Sequence, residues 1–367
     1  MPTAPGATKQ DLSGLRVLYI SGIAPGYYGE FRLWALRRLG LEAVVPLDYL
    51  EYTAARGLWG GLGRKIQHRT QMGAGVRRLN QAILEKATAE RVHVALCDKV
   101  LGLWPETLRA LRQMGVLTVD FVIDNPFGPR RDPGWRVYKK ALGSYDLHAV
   151  QRESSLADYR ARGARHVMLI RTSYEPTIHF PPPAGWSDRN RDRSVSFIGT
   201  PYDRRGDFLT ALWRRGIPVE ISGSRSHWQA ALPSDAFAAM FRVGELKVDA
   251  YREAIWRSRI NLAFVTHGNV DDVAHKAFEI TACGGFLLAE RTAAHLACFR
   301  EDEEAVFFAD EEECLEKIRR YLPDEAARSR IAAAGQRRAA SSGYDNDRVL
   351  RAVLERAAEL LREERSS

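Results

Sequence analysis

The sequence predicts an α/β fold built as two doubly wound domains, and three observations carry that prediction. Apolar runs of strand length alternate with helical stretches along most of the chain, the pattern of strand–helix–strand units. Glycines and charged residues gather just past those runs, at the carboxyl ends of the expected strands, where open α/β sheets bind ligands. Between two such series, residues 174–194 hold four prolines followed by dense charge. Proline restricts the residue before it to extended shapes, so this stretch reads as a linker. The expected domains are then residues 1–173 and 195–344, with a terminal helix over 345–367.

Residues 15–21, LRVLYIS, form the first expected strand and run into Gly22, Pro25, Gly26 and Gly29. Glycines there let a ligand approach the backbone closely, which makes Gly26 and Tyr27 candidates for acceptor binding. A helix, FRLWALRRLG, stops at Gly40, and LEAVVPL follows as a second strand. The G-x-G-x-x-G dinucleotide fingerprint is missing, and the nearest acidic residue, Asp48, lies beyond Pro46; this disfavours a dehydrogenase. Residues 57–78 are Gly-rich and basic. They read either as a flap or membrane-facing patch or as a solvated loop entering a basic helix at 76–89. Strand 92–98, helix 105–115 and strand 116–124 come next. Lys99 and the Asp124-Asn125-Pro126 step both fall at carboxyl strand ends. Asp124 and Asn125 are therefore candidates for the acceptor, or else they close a turn before the proline. A strand at 145–151, a helix to about 163 and a strand at 166–173 complete the series.

The second series opens with SVSFIGT at 194–200, ending on Gly199, followed by the loop PYDRRGD and a helix. A strand over 217–222 closes on Gly223. Residues 224–248 show no firm periodicity. A helix at 251–257 and a strand at 259–265 then lead into the loop Thr266-His267-Gly268-Asn269. Asp271 and Asp272 are expected to cap a helix over 273–282, which Cys283-Gly284-Gly285 stops. Lys276 and Glu279 stand three apart on it and so share a face. They read as a cation for a phosphate with a carboxylate for sugar hydroxyls, or as an exposed ion pair. His275 reads as a solvated side chain or a further ligand contact. A strand at 286–289, a helix beyond Glu290, a strand at 305–309 and helices at 310–322, 324–341 and from about 346 finish the chain.

The segment from Glu279 through Ile-Thr-Ala-Cys-Gly resembles the E-x-x-A-C-G signature of the donor domain in GT-B glycosyltransferases. The longer pattern N-x-D-D-x-x-x-[KR]-x-F-E-x-x-A-C-G-G, met here from Asn269 to Gly285, is similar to the CgeB-like branch of the glycosyl transferases group 1, named after a spore maturation protein. The likeness continues through 295–299, 301–304 and 310–339, and upstream through SFIGTPYDRR at 196–205; its strong part spans residues 195–350. It implies a GT-B architecture of two Rossmann-like domains facing across a cleft, the first binding an acceptor and the second a nucleotide sugar. The last helix would cross back to the first domain. It further implies a D-[DN]-P step at Asp124 and a ribose contact on the helix at Glu279. With the residues at strand ends and loops, the donor candidates are Gly199, Arg204, Arg205, Gly223, His267, Asn269, Asp271, Lys276 and Glu279, and the acceptor candidates Gly26, Tyr27, Lys99, Asp124 and Asn125. Asp271-x7-Glu279 keeps the spacing of the E-x7-E of retaining members, with aspartate in the first place.

The chemistry such a reaction needs is present. Transfer from a nucleotide sugar leaves a diphosphate, and fixed positive charge or N–H dipoles must meet it. Arg204 and Arg205 stand before a helix, combining guanidinium forks with free helix N–H groups. Lys276 lies one turn into the key helix, and Glu279 can accept from ribose hydroxyls. Asp124, Arg204 and Lys276 are the catalytic candidates. Asp345-Asn346-Asp347 is formally a D-x-D metal signature but reads as a helix cap. Nine histidines show no H-x3-H spacing. No metal and no cofactor are expected, only a UDP-, GDP- or dTDP-linked sugar as co-substrate. Neither a G-x-S-x-G elbow nor a P-loop occurs.

Charge separates the two halves. Residues 1–190 hold 27 lysines and arginines against 17 acidic residues, an excess of +10 within a total of +8. That half attracts polyanions: an acidic or lipid-linked acceptor, an anionic membrane surface, or nucleic acid. No nucleic-acid module is recognisable, which disfavours the last. With no apolar span, no signal h-region and four scattered cysteines, the chain is expected in the cytoplasm, with room for peripheral contact at the inner face of the membrane. A non-catalytic sugar-nucleotide-binding protein and a nucleic-acid-binding protein are the rival readings.

Overall fold

A computed structural model describes residues 10–53, 66–129 and 132–366. The chain forms two units, Met1–Arg171 with Asn346–Ser367, and Thr172–Asp345.

The first unit is a six-stranded parallel sheet in the order β2-β1-β3-β4-β5-β6. Its strands are β1 (Arg16–Ser21), β2 (Ala43–Asp48), β3 (Val94–Asp98), β4 (Leu117–Val122), β5 (Leu147–Val150) and β6 (His166–Leu169). Helices cover both faces, which is why the inner strands read as near-continuous apolar runs rather than alternating ones. Alternate residues still divide between two cores: Val17 and Tyr19 join one, Leu18 and Ile20 the other. The terminal helix Asn346–Ser366 belongs to this unit. Val349, Leu350, Val353, Leu354, Ala357, Leu360 and Leu361 recur at helical spacing and are buried with Leu33 and Leu36 of the helix Tyr28–Arg38. Arg38 Nε donates to Asp347 at 3.0 Å across the same pair of helices. A helix at Trp135–Ala141, with Trp135, Val137 and Tyr138 buried, lies in a stretch where no element was expected.

The second unit repeats the plan. It contains β7 (Arg193–Ile198), β8 (Val219–Ser222), β9 (Phe241–Val243), β10 (Ser258–Ala263), β11 (Leu287–Glu290) and β12 (Val306–Phe308), in the order β12-β11-β10-β7-β8-β9. The unassigned stretch 224–248 holds two short helices, Arg225–Ala231 and Ser234–Met240, and the edge strand β9. The expected linker is a difference of substance: residues 174–194 pack within the second unit. Tyr174 and Ile178 are buried, Trp256 Nε1 donates to Phe180 O at 3.0 Å, and Trp186 Nε1 donates to Trp256 O at 3.1 Å. Prolines here shape an extended segment that the two indoles tie down.

In each sheet the strand order reverses beside the first strand, between β1 and β3 and between β7 and β10. Loops leaving adjacent strands diverge at such a point and leave a crevice at the carboxyl ends. Among the described residues no helix is long and apolar enough to cross a membrane.

Candidate functional site

The switch point of the second unit is built by pressing three loops together. Gly199, just past β7, donates its N–H to Ser222 O at 2.9 Å, and its carbonyl accepts from Trp228 Nε1 at 2.9 Å. Gly223 follows β8 at φ 156, and a Cβ there would lie 2.1 Å from Gly199 O. Only glycine fits that approach. From the other side, Asp203 accepts from the backbone N–H of His267 (2.9 Å) and Gly268 (3.1 Å), stapling the loop after β7 to the loop after β10. Glu290, at the end of β11, accepts from Val265 N at 3.2 Å and faces His267 Nε2 at 2.7 Å.

The paired arginines separate. Arg205 is 8% exposed, and its fork donates to Thr200 O (3.2 Å), Val265 O (3.0 Å) and Thr266 Oγ1 (3.0 Å). It therefore ties the loops together, and its guanidinium is taken up by them. Arg204, with a side chain 89% exposed and Asp207 beside it at 3.1 Å, stands open at the start of the helix Arg205–Arg214.

The two aspartates do not cap the key helix. That helix is His275–Ala282, its N-cap is Ala274, and no side chain caps it. The chain turns earlier, through a left-handed Val270, and Asp271 instead accepts from Asn269 Nδ2 at 2.8 Å. The N–H of Ala274 is met from elsewhere: it donates to His295 Nε2 at 2.9 Å. His295 Nδ1 in turn donates to Glu290 O at 2.7 Å, which fixes the ring as the neutral tautomer. Burial pushes its pKa down to about 4, against the opposing pull of that carbonyl. This displacement removes the aspartates from the helix N-terminus, where they would repel an anionic ligand.

On the helix face, Glu279 is 2% exposed, so the exposed ion pair is excluded. Its Oε2 accepts from Tyr251 OH at 2.7 Å, with Lys276 Nζ at 4.0 Å. Its Oε1 faces His275 Nε2 at 3.2 Å and His179 Nε2 at 3.8 Å. Burial disfavours the charged form, but His275, by charge and hydrogen bond, then His179 and Lys276 outweigh it and hold the carboxyl well below the usual carboxylate range. Lys276 Nζ sits over the Tyr251 ring, 4.4 Å from its centroid, and its Cε lies 3.6 Å from where a Gly199 Cβ would stand. Gly199 and Lys276 thus border one spot at the β7–β10 crevice. His275 is no solvated side chain: its Nδ1 bonds Thr172 Oγ1 and its Nε2 faces Glu279.

The switch point of the first unit is organised differently. Asp98, closing β3, accepts from Arg32 at 2.8 and 3.0 Å, from Tyr19 OH at 2.7 Å and from Ser21 Oγ at 3.2 Å. A Cβ on Gly29 would stand 2.3 Å from Gly22 O, so this glycine serves the approach of the helix to β1. Gly26 N donates to Glu30 Oε2 at 2.7 Å, and Tyr27 is exposed beside it. Lys99, left-handed at φ 53, pairs with Asp124, and Asn125 Oδ1 accepts from Phe127 N at 2.9 Å in a turn. Lys99, Asp124 and Asn125 therefore share one end of this sheet. Of the basic segment at 57–78, residues 57–65 with Arg64 and Lys65 lie outside the described residues. Arg69, Arg77 and Arg78 are exposed, as are Ile66 and Met72. Among the described residues no group of three His, Cys, Asp or Glu is placed to hold a metal ion.

Residues 204–355 match the family model described as glycosyl transferase-like. No curated protein sequence matches the chain. Among solved structures, HepE of Anabaena, in complex with UDP and glucose, shares 12% identity at a TM-score of 0.65 over 94% of this chain and 100% of that one. Sucrose-phosphate synthase of Thermosynechococcus elongatus shares 13% at 0.64, over 96% and 99%. A trehalose-6-phosphate synthase, analysed for glycosyl transfer with retention, shares 14% at 0.61, over 94% and 99%. At such identities the likeness is one of fold, and the fold is that of GT-B glycosyltransferases, with the glycosyl transferase-like region lying mostly in the second unit.

Proposed function

We propose that the protein is a glycosyltransferase that moves a sugar from a UDP-, GDP- or dTDP-linked donor to an acceptor, of the CgeB-like kind. The second unit binds the donor. The observation that carries this reading is the pairing of Lys276 and Glu279 on one helix face at the β7–β10 switch point, beside Gly199. The departing diphosphate is met by Lys276, by the open guanidinium of Arg204, and by the N–H groups opening the helices after Gly199 and Ala274. Glu279, kept ionised, accepts from the ribose. His267 and Asn269 lie in the loop that borders this spot. Arg205 and Asp271 serve by holding the loops.

Donor binding in HepE, seen with UDP and glucose, supports a uridine nucleotide first. The Asp271-x7-Glu279 spacing, with the retaining trehalose-6-phosphate synthase among the fold relatives, favours retention at the anomeric carbon. Lys99, Asp124, Asn125, Gly26 and Tyr27 of the first unit are proposed to engage the acceptor. The exposed Ile66 and Met72 among Arg69, Arg77 and Arg78 favour an acceptor that is lipid-linked or lies at an anionic surface.

A thermal-shift series with UDP, GDP and dTDP sugars tests the donor assignment. A ligand at a hundred times its dissociation constant raises stability by about 2.7 kcal/mol, and the absence of any shift refutes it. Turnover in EDTA tests the metal-free chemistry, since restoration by magnesium or manganese alone would contradict it. The anomeric configuration of the product, read by NMR, decides retention.

A further inference from the structure

We propose that Tyr251 and His179 are positioning residues for the Glu279 carboxylate, so that residues 172–180, directly after the boundary between the units, form part of the donor site. This rests on the donor reading above. A carboxylate that accepts from two ribose hydroxyls must present both oxygens at a set angle, and Glu279 ends on a side-chain torsion that is broad and roughly two-fold. Its orientation must therefore come from its neighbours.

Tyr251 meets one oxygen, and His275 and His179 meet the other. Tyr251 OH donates to Oε2 at 2.7 Å from the helix Val248–Trp256. The other oxygen, Oε1, faces His275 Nε2 at 3.2 Å and, beside it, His179, which the backbone of Glu175 orients. Its Nδ1 accepts from Glu175 N–H at 3.1 Å, so the proton of the neutral ring sits on Nε2, which faces Oε1 at 3.8 Å. Burial lowers the pKa of His179, which favours that neutral form. The His179 and Tyr251 rings meet edge to face, 5.9 Å between centroids, so the two supports brace each other. The same short segment also supplies Thr172 to His275. A residue of this segment thus reaches a carboxylate a hundred positions later in the chain, and both are almost fully buried.

Lys276 Nζ lies 3.3 Å from the Tyr251 oxygen, so Tyr251 links the carboxylate to the neighbouring cation.

The test is calorimetric binding of UDP and GDP against their 2′,3′-dideoxy counterparts, and of dTDP against its 3′-deoxy form, to the full chain and to Tyr251→Phe, His179→Ala and His179→Gln. For whichever nucleotide binds, Tyr251→Phe should weaken the hydroxylated form about tenfold and leave the form lacking hydroxyls within about twofold. His179→Ala should do the same to a smaller degree, and His179→Gln, which keeps an N–H donor near the Nε2 position, should recover most of it. Equal losses for both forms would overturn the proposal, since they would trace to Lys276 and the phosphates or to general damage. If Tyr251→Phe fails to fold, the Ala and Gln pair at His179 decides, because packing loss alone would not be rescued by Gln selectively for the hydroxylated ligand. A wild-type protein that binds none of the three nucleotides would instead overturn the donor reading itself.

Discussion

Each unit carries a buried carboxylate at its switch point, and the two are held in opposite ways. Asp98 in the first unit is gripped by Arg32 through two short bonds, with Tyr19 and Ser21 on the same oxygen. Glu279 in the second accepts from a neutral phenol at 2.7 Å, faces the imidazoles of His275 at 3.2 Å and His179 at 3.8 Å, and has its cation at 4.0 Å. The first arrangement saturates the carboxylate and makes it part of the frame. The second keeps the charge ionised through a phenol, two imidazoles and an ammonium rather than through a guanidinium. A conspicuous buried acid is thus a structural tie in one sheet and a candidate ligand contact in the other, and the difference lies in the partner, not in the acid.

The sharpest way to break that comparison is Asp98→Ala. It strands the Arg32 guanidinium in a buried site, and removing one partner of such a pair costs about 3–5 kcal/mol. Urea unfolding should show that loss with nucleotide affinity preserved in whatever remains folded. A loss below about 1 kcal/mol would mean that Asp98 is not the structural member of the two.

His295 extends the contrast to pH, because the helix bearing Glu279 leans on a histidine that must stay neutral. In the unfolded chain its imidazole takes a proton near pH 6.5, but in the folded protein only near a pKa of about 4. Between those values the unfolded state binds more protons, so stability is intact above about pH 6.5 and falls as acid is added. The loss from this group reaches about 3 kcal/mol below pH 4. Comparing unfolding curves at pH 7 and pH 4.5 for wild type and His295→Gln isolates it. The wild type should lose more stability over that interval, and parallel losses would remove His295 from the account.

Glu279→Ala should act on binding rather than on the fold. Lys276 is only half-buried and can regain water, so the melting temperature should fall less than with Asp98→Ala. Nucleotide affinity should drop by about 1.5–3 kcal/mol, the value of hydrogen bonds to a charged group. Calorimetry showing unchanged affinity beside a normal melting curve would end the assignment.

The smallest effect concerns the basic surface of the first unit. Exposed charges act over about 8 Å at physiological ionic strength, so the acceptor Michaelis constant should rise with salt while the donor constant holds. Replacing Arg64, Lys65, Arg69, Arg77 and Arg78 should flatten that dependence. Equal movement of both constants would reduce the segment to a solvated face.

By itself the sequence determined the strand–helix alternation, the two switch-point regions and the spacing that puts Lys276 and Glu279 on one helix face, because these follow from local periodicity and turn chemistry. It also marked the glycines at 199 and 223, since close backbone approach leaves glycine as its trace. The tertiary structure alone decided the rest. Asp271 and Asp272 read as caps from local pattern, yet the helix starts later, since a distant His295 satisfies the N–H at Ala274. Arg204 and Arg205 are equivalent in sequence, but the turn of the helix buries one among carbonyls and exposes the other. Residues 174–194 looked like a linker because proline and charge report local stiffness and say nothing of what a segment packs against. His179, inside that stretch, meets Glu279 through space, and contacts between residues a hundred positions apart leave no local pattern to read.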